Sequence, residues 1–225
     1  MRCDGRGMNP ITSPDAPATA PVPDSSLSVF LSAALRRPRI VGGVAPSSRE
    51  LTEVLASVVP SRGEPTVVEL GPGTGATTST IARRLPESGR QLAVEIDPVM
   101  AAHLANSYPG VTVLQGDAAE LGALLAREGQ DTADAIVSGL PWSLFPGHVQ
   151  RAVLRQVCSA LTPAGAFSTF AYRHAARLEG ARRFRGLLDE YFDEVVVTRT
   201  VWRNLPPARV FVCRRPRSFA SARHG

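Results

Sequence analysis

Val67-Val68-Glu69-Leu70-Gly71-Pro72-Gly73-Thr74-Gly75 is the stretch whose reading decides the fold. Two β-branched residues, an acid and a leucine read as a short buried strand. A glycine then stands at every second position, so the strand ends in a tight turn. Without Cβ atoms in the way, the turn's backbone can approach a ligand closely. The spacing is G-x-G-x-G, not the G-x-G-x-x-G of a dinucleotide site. An acid at Glu69 disfavours a phosphate and suits a cationic ligand.

Outward from this strand, at Thr66–Leu70, strand and helix alternate. The expected pairs are strand Thr66–Leu70 with helix Ala76–Leu85, Gln91–Ile96 with Pro98–Ser107, and Val111–Gln115 with Ala119–Arg127. They continue with Ala133–Ser138 and His148–Leu161, then Ala166–Tyr172 and Arg177–Tyr191. Glu194–Val201 and Arg209–Arg214 follow, joined by Asn204-Leu205-Pro206-Pro207. That connection leaves no room for a crossover helix, so the last pair is expected to be antiparallel. The pattern predicts a doubly wound, Rossmann-like α/β sheet preceded by N-terminal helices.

Before the sheet, residues 1–25 hold five prolines among small and polar residues, a composition expected to be disordered. Leu27, Phe30, Leu31, Ala34 and Leu35 then fall on one helical face, with Arg36 and Arg37 in the last turn and Pro38 ending it. Such a helix either packs on the domain or lies in a lipid interface with its arginines at headgroups. The two readings are compatible if the helix moves. A further helix is expected over Ser48–Val59.

All 25 basic residues are arginines, and the net charge is +5. They cluster at 36–39, 177–185 and 214–217, either as solvated faces or against an anionic membrane or nucleic acid. No apolar run reaches the roughly 20 residues that span a bilayer. The N-terminus carries no secretory pattern. Cys3, Cys158 and Cys213 are scattered, with no metal-ligand spacing. The expected setting is cytoplasmic, or peripheral on the inner face of the membrane.

In an open α/β sheet the ligand lies beyond the carboxyl ends of the strands. The first strand supplies Glu69 with Gly71, Gly73 and Gly75. The second ends in Glu95-Ile96-Asp97; Glu95 is placed to accept from ribose hydroxyls. The third ends in Gly116-Asp117-Ala118, where a carboxylate can accept from an adenine amino group. The fourth ends in Ser138-Gly139-Leu140-Pro141-Trp142. S-adenosylmethionine, which carries a sulfonium and an ammonium but no phosphate, has the charge this turn suits. Each acid also has a structural alternative: Asp97 before Pro98 and Asp117 as helix caps, Glu69 in an ion pair.

These motifs together resemble those of the class I S-adenosylmethionine-dependent methyltransferases. The resemblance covers about Thr66 to Arg214 and implies a seven-stranded sheet with an antiparallel last strand. A narrower likeness joins Phe30, Arg37-Pro38, Val41–Ser48, the glycine turn, Val137–Pro141 and Asn204–Ala208. Together they resemble the soluble bacterial phospholipid N-methyltransferases, which methylate phosphatidylethanolamine. This implies an amine-bearing acceptor, a phospholipid headgroup, at an anionic membrane surface. The expected organisation is N-terminal helices over 26–60, membrane-interfacial and lid-forming, a methyltransferase domain over 61–216 and a flexible end over 217–225. A soluble metabolite and ribosomal RNA adenine N6 remain alternative acceptors. The related RNA enzymes carry Asn-Leu/Ile-Pro-Tyr/Phe where this chain has Gly139-Leu140-Pro141-Trp142, which disfavours nucleic acid. An amine must lose a proton before attack, and Asp134, His148, Tyr172 and His174 are candidate acceptors. Trp142 or Tyr172 could face the product ammonium. Arg173, Arg177 or Arg209 could pair with a headgroup phosphate. Trp142, His148 and Tyr172 are the catalytic candidates.

Overall fold

The structure, a computed structural model, describes residues 47–217. The tail over 1–25, the helix expected over 27–37 and residues 38–46 lie outside the described residues, as do residues 218–225. The described chain opens with α1 (Arg49–Leu55). It continues β1 (Thr66–Leu70), α2 (Ala76–Arg84), β2 (Arg90–Glu95), α3 (Pro98–Ser107), β3 (Thr112–Gln115) and α4 (Leu121–Arg127). Then come β4 (Ala133–Ser138), α5 (Gly147–Ala160), β5 (Leu161–Tyr172), α6 (Glu179–Tyr191), β6 (Phe192–Val197) and β7 (Ala208–Pro216). The seven strands form one sheet in the order β3-β2-β1-β4-β5-β7-β6. The pairs among β1 to β5 are parallel, whereas β7 runs antiparallel to both β5 and β6. The strand order reverses beside β1, which is where such sheets bind ligands.

The period-2 alternation of a strand sends successive side chains to opposite faces. Val67 joins one apolar layer with Leu51, Leu55, Ile81, Ala135, Val137 and Val210. Val68 joins the other, with Leu70, Val94, Ile136, Val153 and Phe167. Covered on both faces, β1 is buried along its whole length. In α1, Ser48 caps the first turn by accepting from the Leu51 N–H at 3.2 Å. Leu51 and Leu55 are then buried on the sheet, and the Ser168 hydroxyl donates to the Leu55 carbonyl at 2.8 Å.

Several boundaries differ from the sequence reading; the helix expected over Ser48–Val59, for one, ends at Leu55 and gives way to a 3-10 turn over Ala56–Val58. β5 begins at Leu161 rather than Ala166, because a register shift between Ala133 and Ala135 lets it pair with β4 ahead of Gly165. α6 begins at Glu179, since residues Arg173–Arg177 form a 3-10 turn. β6 ends at Val197, and Val201 keeps only an isolated bridge to Ala208.

Asp97 caps α3, accepting from the Val99 and Met100 N–H groups at 2.8 and 3.0 Å, with Pro98 at the first helical position. Its carboxylate is thus committed to the helix. Asp97→Ala is expected to lower stability by about 1 kcal/mol, read as the urea midpoint.

Candidate active site

The glycine turn leaves β1 through three left-handed residues: Gly71, Gly73 and Gly75 have φ of 68°, 56° and 85°. A Cβ on Gly71 would meet Leu140, and one on Gly75 would meet the Tyr108 ring. A Cβ on Gly73 would meet nothing within 4 Å. The Tyr108 hydroxyl donates to the Gly75 carbonyl at 3.0 Å and fixes the turn from outside. Across the switch point Gly139 lies against the turn: its N–H donates to the Leu70 carbonyl at 2.8 Å.

Two buried carboxyls underlie the turn. Glu69 is 1% exposed and accepts from the Thr78 hydroxyl at 2.7 Å. Burial pushes its carboxyl up to about 8, against the pull of the Thr78 hydrogen bond and with a small further push from Glu95. Glu95 ends β2 and spans the turn. One oxygen accepts from the Gly73 N–H at 3.3 Å and the other from the Asp97 N–H at 3.1 Å. Burial raises its carboxyl above the usual range, with those backbone donors working the other way.

A narrow cleft opens at the carboxyl ends of β1 to β4. It is lined by Gly71, Val94, Glu95, Ile96, Gly116, Ala118 and Leu140. Apolar walls, glycine backbone and one acid suit a flat heterocycle with hydroxyls beside it, so the residues present fit an adenosine group. A larger hollow of about 480 Å³ lies between α1 and α2, lined by Arg49, Thr52, Ser79, Thr80 and Arg83 among others. Its lining holds two arginines and no carboxylate, so the cleft lined by Glu95 fits a cationic ligand better. Next to the cleft, Asp117 caps a 3-10 turn over Ala118–Glu120 by accepting from the Ala119 N–H at 2.8 Å. Ala118 is buried and Asp117 half-buried.

The remaining sequence candidates separate. Ser138 is fully buried, and its oxygen accepts from the Leu140 N–H at 3.3 Å and the Trp142 indole N–H at 3.1 Å. It therefore shapes the turn after β4 and is not among the cleft's lining residues. Trp142 is corrected outright as an ammonium-facing ring. It is 2% exposed, stacked on Phe184 at 4.4 Å and edged by Phe145 and Phe167. Asp134 is corrected too. It stands at the amino end of β4, opposite the cleft, and accepts from the Thr66 N–H at 2.9 Å. His148 is exposed in the first turn of α5. Tyr172 ends β5 half-buried and stacks on the exposed His174 at 5.6 Å. Burial pushes the Tyr172 phenol up, so it stays protonated at neutral pH and can orient an amine but not take its proton. Sequence reading missed Thr78, Tyr108 and Asn204 as supports. The threonine-rich start of α2, which faces β1, was the one available signal.

Comparison with known proteins extends this geometry. A family model described as a methyltransferase domain matches residues 67–165. An ornithine lipid N-methyltransferase from Singulisphaera acidiphila is 34% identical over 189 residues, which span 83% of this chain and 94% of that protein. The chain belongs to the class I S-adenosylmethionine-dependent methyltransferases. Its cofactor is S-adenosylmethionine. A ribosomal RNA small subunit methyltransferase A from Chlorobium phaeobacteroides is 35% identical, but only over 32% of this methyltransferase and 25% of that one. Among solved structures, an O-methyltransferase from Bacillus cereus in complex with SAH superposes with a TM-score of 0.61 at 17% identity. The match covers 83% of this chain and 91% of that one, and at this identity it speaks to the fold. Among the described residues of this methyltransferase, no helix is long and apolar enough to cross a membrane.

Proposed function

We propose that this methyltransferase N-methylates the amine of a lipid headgroup at a membrane surface. One observation carries the reading: the likeness to an ornithine lipid N-methyltransferase spans 83% of this chain and 94% of that protein. Ornithine and ethanolamine headgroups both offer a primary amine. S-adenosylmethionine supplies an electrophilic methyl group on a sulfonium. The chain's own work is to hold the two partners in line and keep water out. In this reading Glu95 takes ribose hydroxyls, Asp117 with Ala118 takes the adenine edge, and Ile96 packs on the base. Gly71, Gly73 and Gly75 admit the donor's chain, and Glu69 balances its positive charge. Tyr172 orients the acceptor amine. His148 and His174, both exposed on this edge, are the groups that can take its proton.

Asp117→Ala is expected to weaken cofactor binding by about 1–3 kcal/mol, because a buried donor loses its acceptor. Asp117→Asn, which keeps an acceptor for the Ala119 cap, separates cofactor contact from capping. Parental affinity in calorimetry for both variants would leave Asp117 as a cap alone. The acceptor is tested by incubating the enzyme with labelled cofactor and vesicles of phosphatidylethanolamine or ornithine lipid, soluble amines, or RNA, and tracing the label. Label in a lipid amine supports the proposal; label only in a soluble amine or in RNA overturns it.

A further inference from the structure

The connection from β6 to β7, residues 198–207, lies on the same edge of the sheet as the glycine turn. β7 runs antiparallel to β5 and starts there, with Ala208 opposite Tyr172. Two inward residues pin this connection. Val201 is buried and bridges Ala208. Asn204 is 3% exposed; its Oδ1 accepts from the Ser48 N–H at 2.8 Å, and its Nδ2 donates to the Pro206 carbonyl at 2.7 Å. Beside these anchors, Trp202 and Leu205 point outward, 67% and 80% exposed. An anchored loop that holds a tryptophan and a leucine in water is built to meet an apolar or interfacial surface.

The surrounding charge identifies that surface. Residues 198–209 contain Arg199, Arg203 and Arg209 and no carboxylate. Residues 172–178, which leave the same edge from β5, add Arg173 and Arg177, again without a carboxylate. The Arg173 guanidinium lies 4.8 Å over the Trp202 ring. All five arginines are exposed, as is Leu178, which follows them. The next carboxylate along the chain, Glu179, is paired with Arg183 on α6. Tryptophan favours the headgroup level of a bilayer, and arginine pairs with phosphate through its fork.

We propose that Trp202 and Leu205 form a docking wedge that enters the headgroup layer of an anionic bilayer. The five arginines engage lipid phosphates around it. The wedge turns the carboxyl edge of the sheet, and with it the cleft, toward the membrane. This deepens the lipid-headgroup reading and rests on it for its purpose, but not for its test.

The chain has two tryptophans, and Trp142 is buried. A change of emission on vesicles therefore reports Trp202. The full chain is titrated with vesicles of phosphatidylglycerol and phosphatidylcholine carrying brominated acyl chains, which offer no amine to methylate. The expected result is a blue shift and quenching of Trp202, absent with phosphatidylcholine alone. Trp202→Ser with Leu205→Ser is expected to weaken sedimentation with these vesicles about tenfold or more while leaving cofactor affinity unchanged. Sedimentation of the parent without any change at Trp202, or parental sedimentation of the double variant, overturns the wedge. So does failure of the parent to bind vesicles. A blue, concentration-dependent Trp202 emission without lipid overturns it in favour of a second copy of the chain. Methyl transfer to lipid with Trp202 unmoved sinks the wedge alone; docking without methyl transfer to any lipid sinks only the proposed function.

Discussion

Gly139→Ala is expected to lose cofactor affinity at least tenfold, and about 1–3 kcal/mol of stability. A Cβ at this position would lie 2.6 Å from the Gly71 carbonyl oxygen and 3.7 Å from that of Leu70. Neither neighbour is the flexible end of a side chain. Gly71 follows β1, Gly139 follows β4, and the two strands are in parallel register with Leu70 opposite Ser138. Relief must therefore come from a shift of the turn itself, which breaks or stretches the Gly139 N–H bond to Leu70. A displacement of a few tenths of an ångström moves Gly73 and the Glu95 carboxylate that it donates to. Positioning errors of about 1 Å at reacting groups can cost a hundredfold. Gly73→Ala is a control for stability alone: its Cβ meets no protein atom within 4 Å, so the fold bears only the left-handed backbone cost of about 1–2 kcal/mol, while its methyl enters the space left for the donor. Calorimetry with the demethylated cofactor and a urea titration check both variants. Parental binding by Gly139→Ala would mean that the turn is soft and the close approach incidental. The same contact bears on the acceptor. An asparagine here, as the resembled RNA enzymes carry, would bring the same Cβ against the Gly71 carbonyl, so the turn would have to shift to admit an adenine-orienting amide.

The sheet was legible because its signals are local. Val67-Val68, Ala135-Ile136-Val137 and the glycine turn state strand, burial and ending within a few residues of each other. The antiparallel close followed from a connection too short for a crossover helix. What sequence could not show depends on partners distant along the chain. Ser138 and Trp142 read as site residues from their place at a strand end, yet the indole N–H folds back onto Ser138 and the ring fills the core beside Phe184, residues away on α6. Thr78 and Glu69 sit nine positions apart on different elements, and only packing α2 on β1 joins them. The early start of β5 hides behind Pro163 and Gly165, which read as a loop until the register shift in β4 admits them to the sheet. The outward placement of Trp202 is likewise set by Asn204 reaching Ser48 across 156 positions.

Glu69→Gln is expected to remove a pH dependence as well as cofactor affinity. The carboxyl is about 8 in the folded protein and near 4.5 when exposed. Between those values the folded state holds a proton that the unfolded chain has released. This group's contribution to stability is therefore intact below about 4.5 and is lost as pH rises through 8. A neutral amide of the same shape has no proton to lose, so the variant's stability at pH 8.5 relative to pH 5 should exceed the parent's by a few kcal/mol. Binding should run the other way. A cationic donor beside Glu69 favours the carboxylate, so the parent should release protons on binding near pH 7 and bind more tightly as pH rises toward 8. The variant should lose that Glu69 contribution and bind about tenfold or more weakly at pH 8. Calorimetry in two buffers of different ionisation enthalpy counts the protons. Glu95, also raised, is the other carboxyl able to supply one. Glu95→Gln separates the two: it should lower affinity while the proton release of Glu69 persists. If the parent releases no proton and Glu69→Gln binds as the parent does, Glu69 is a buried partner of Thr78 and nothing more, and the charge match at the turn loses its support.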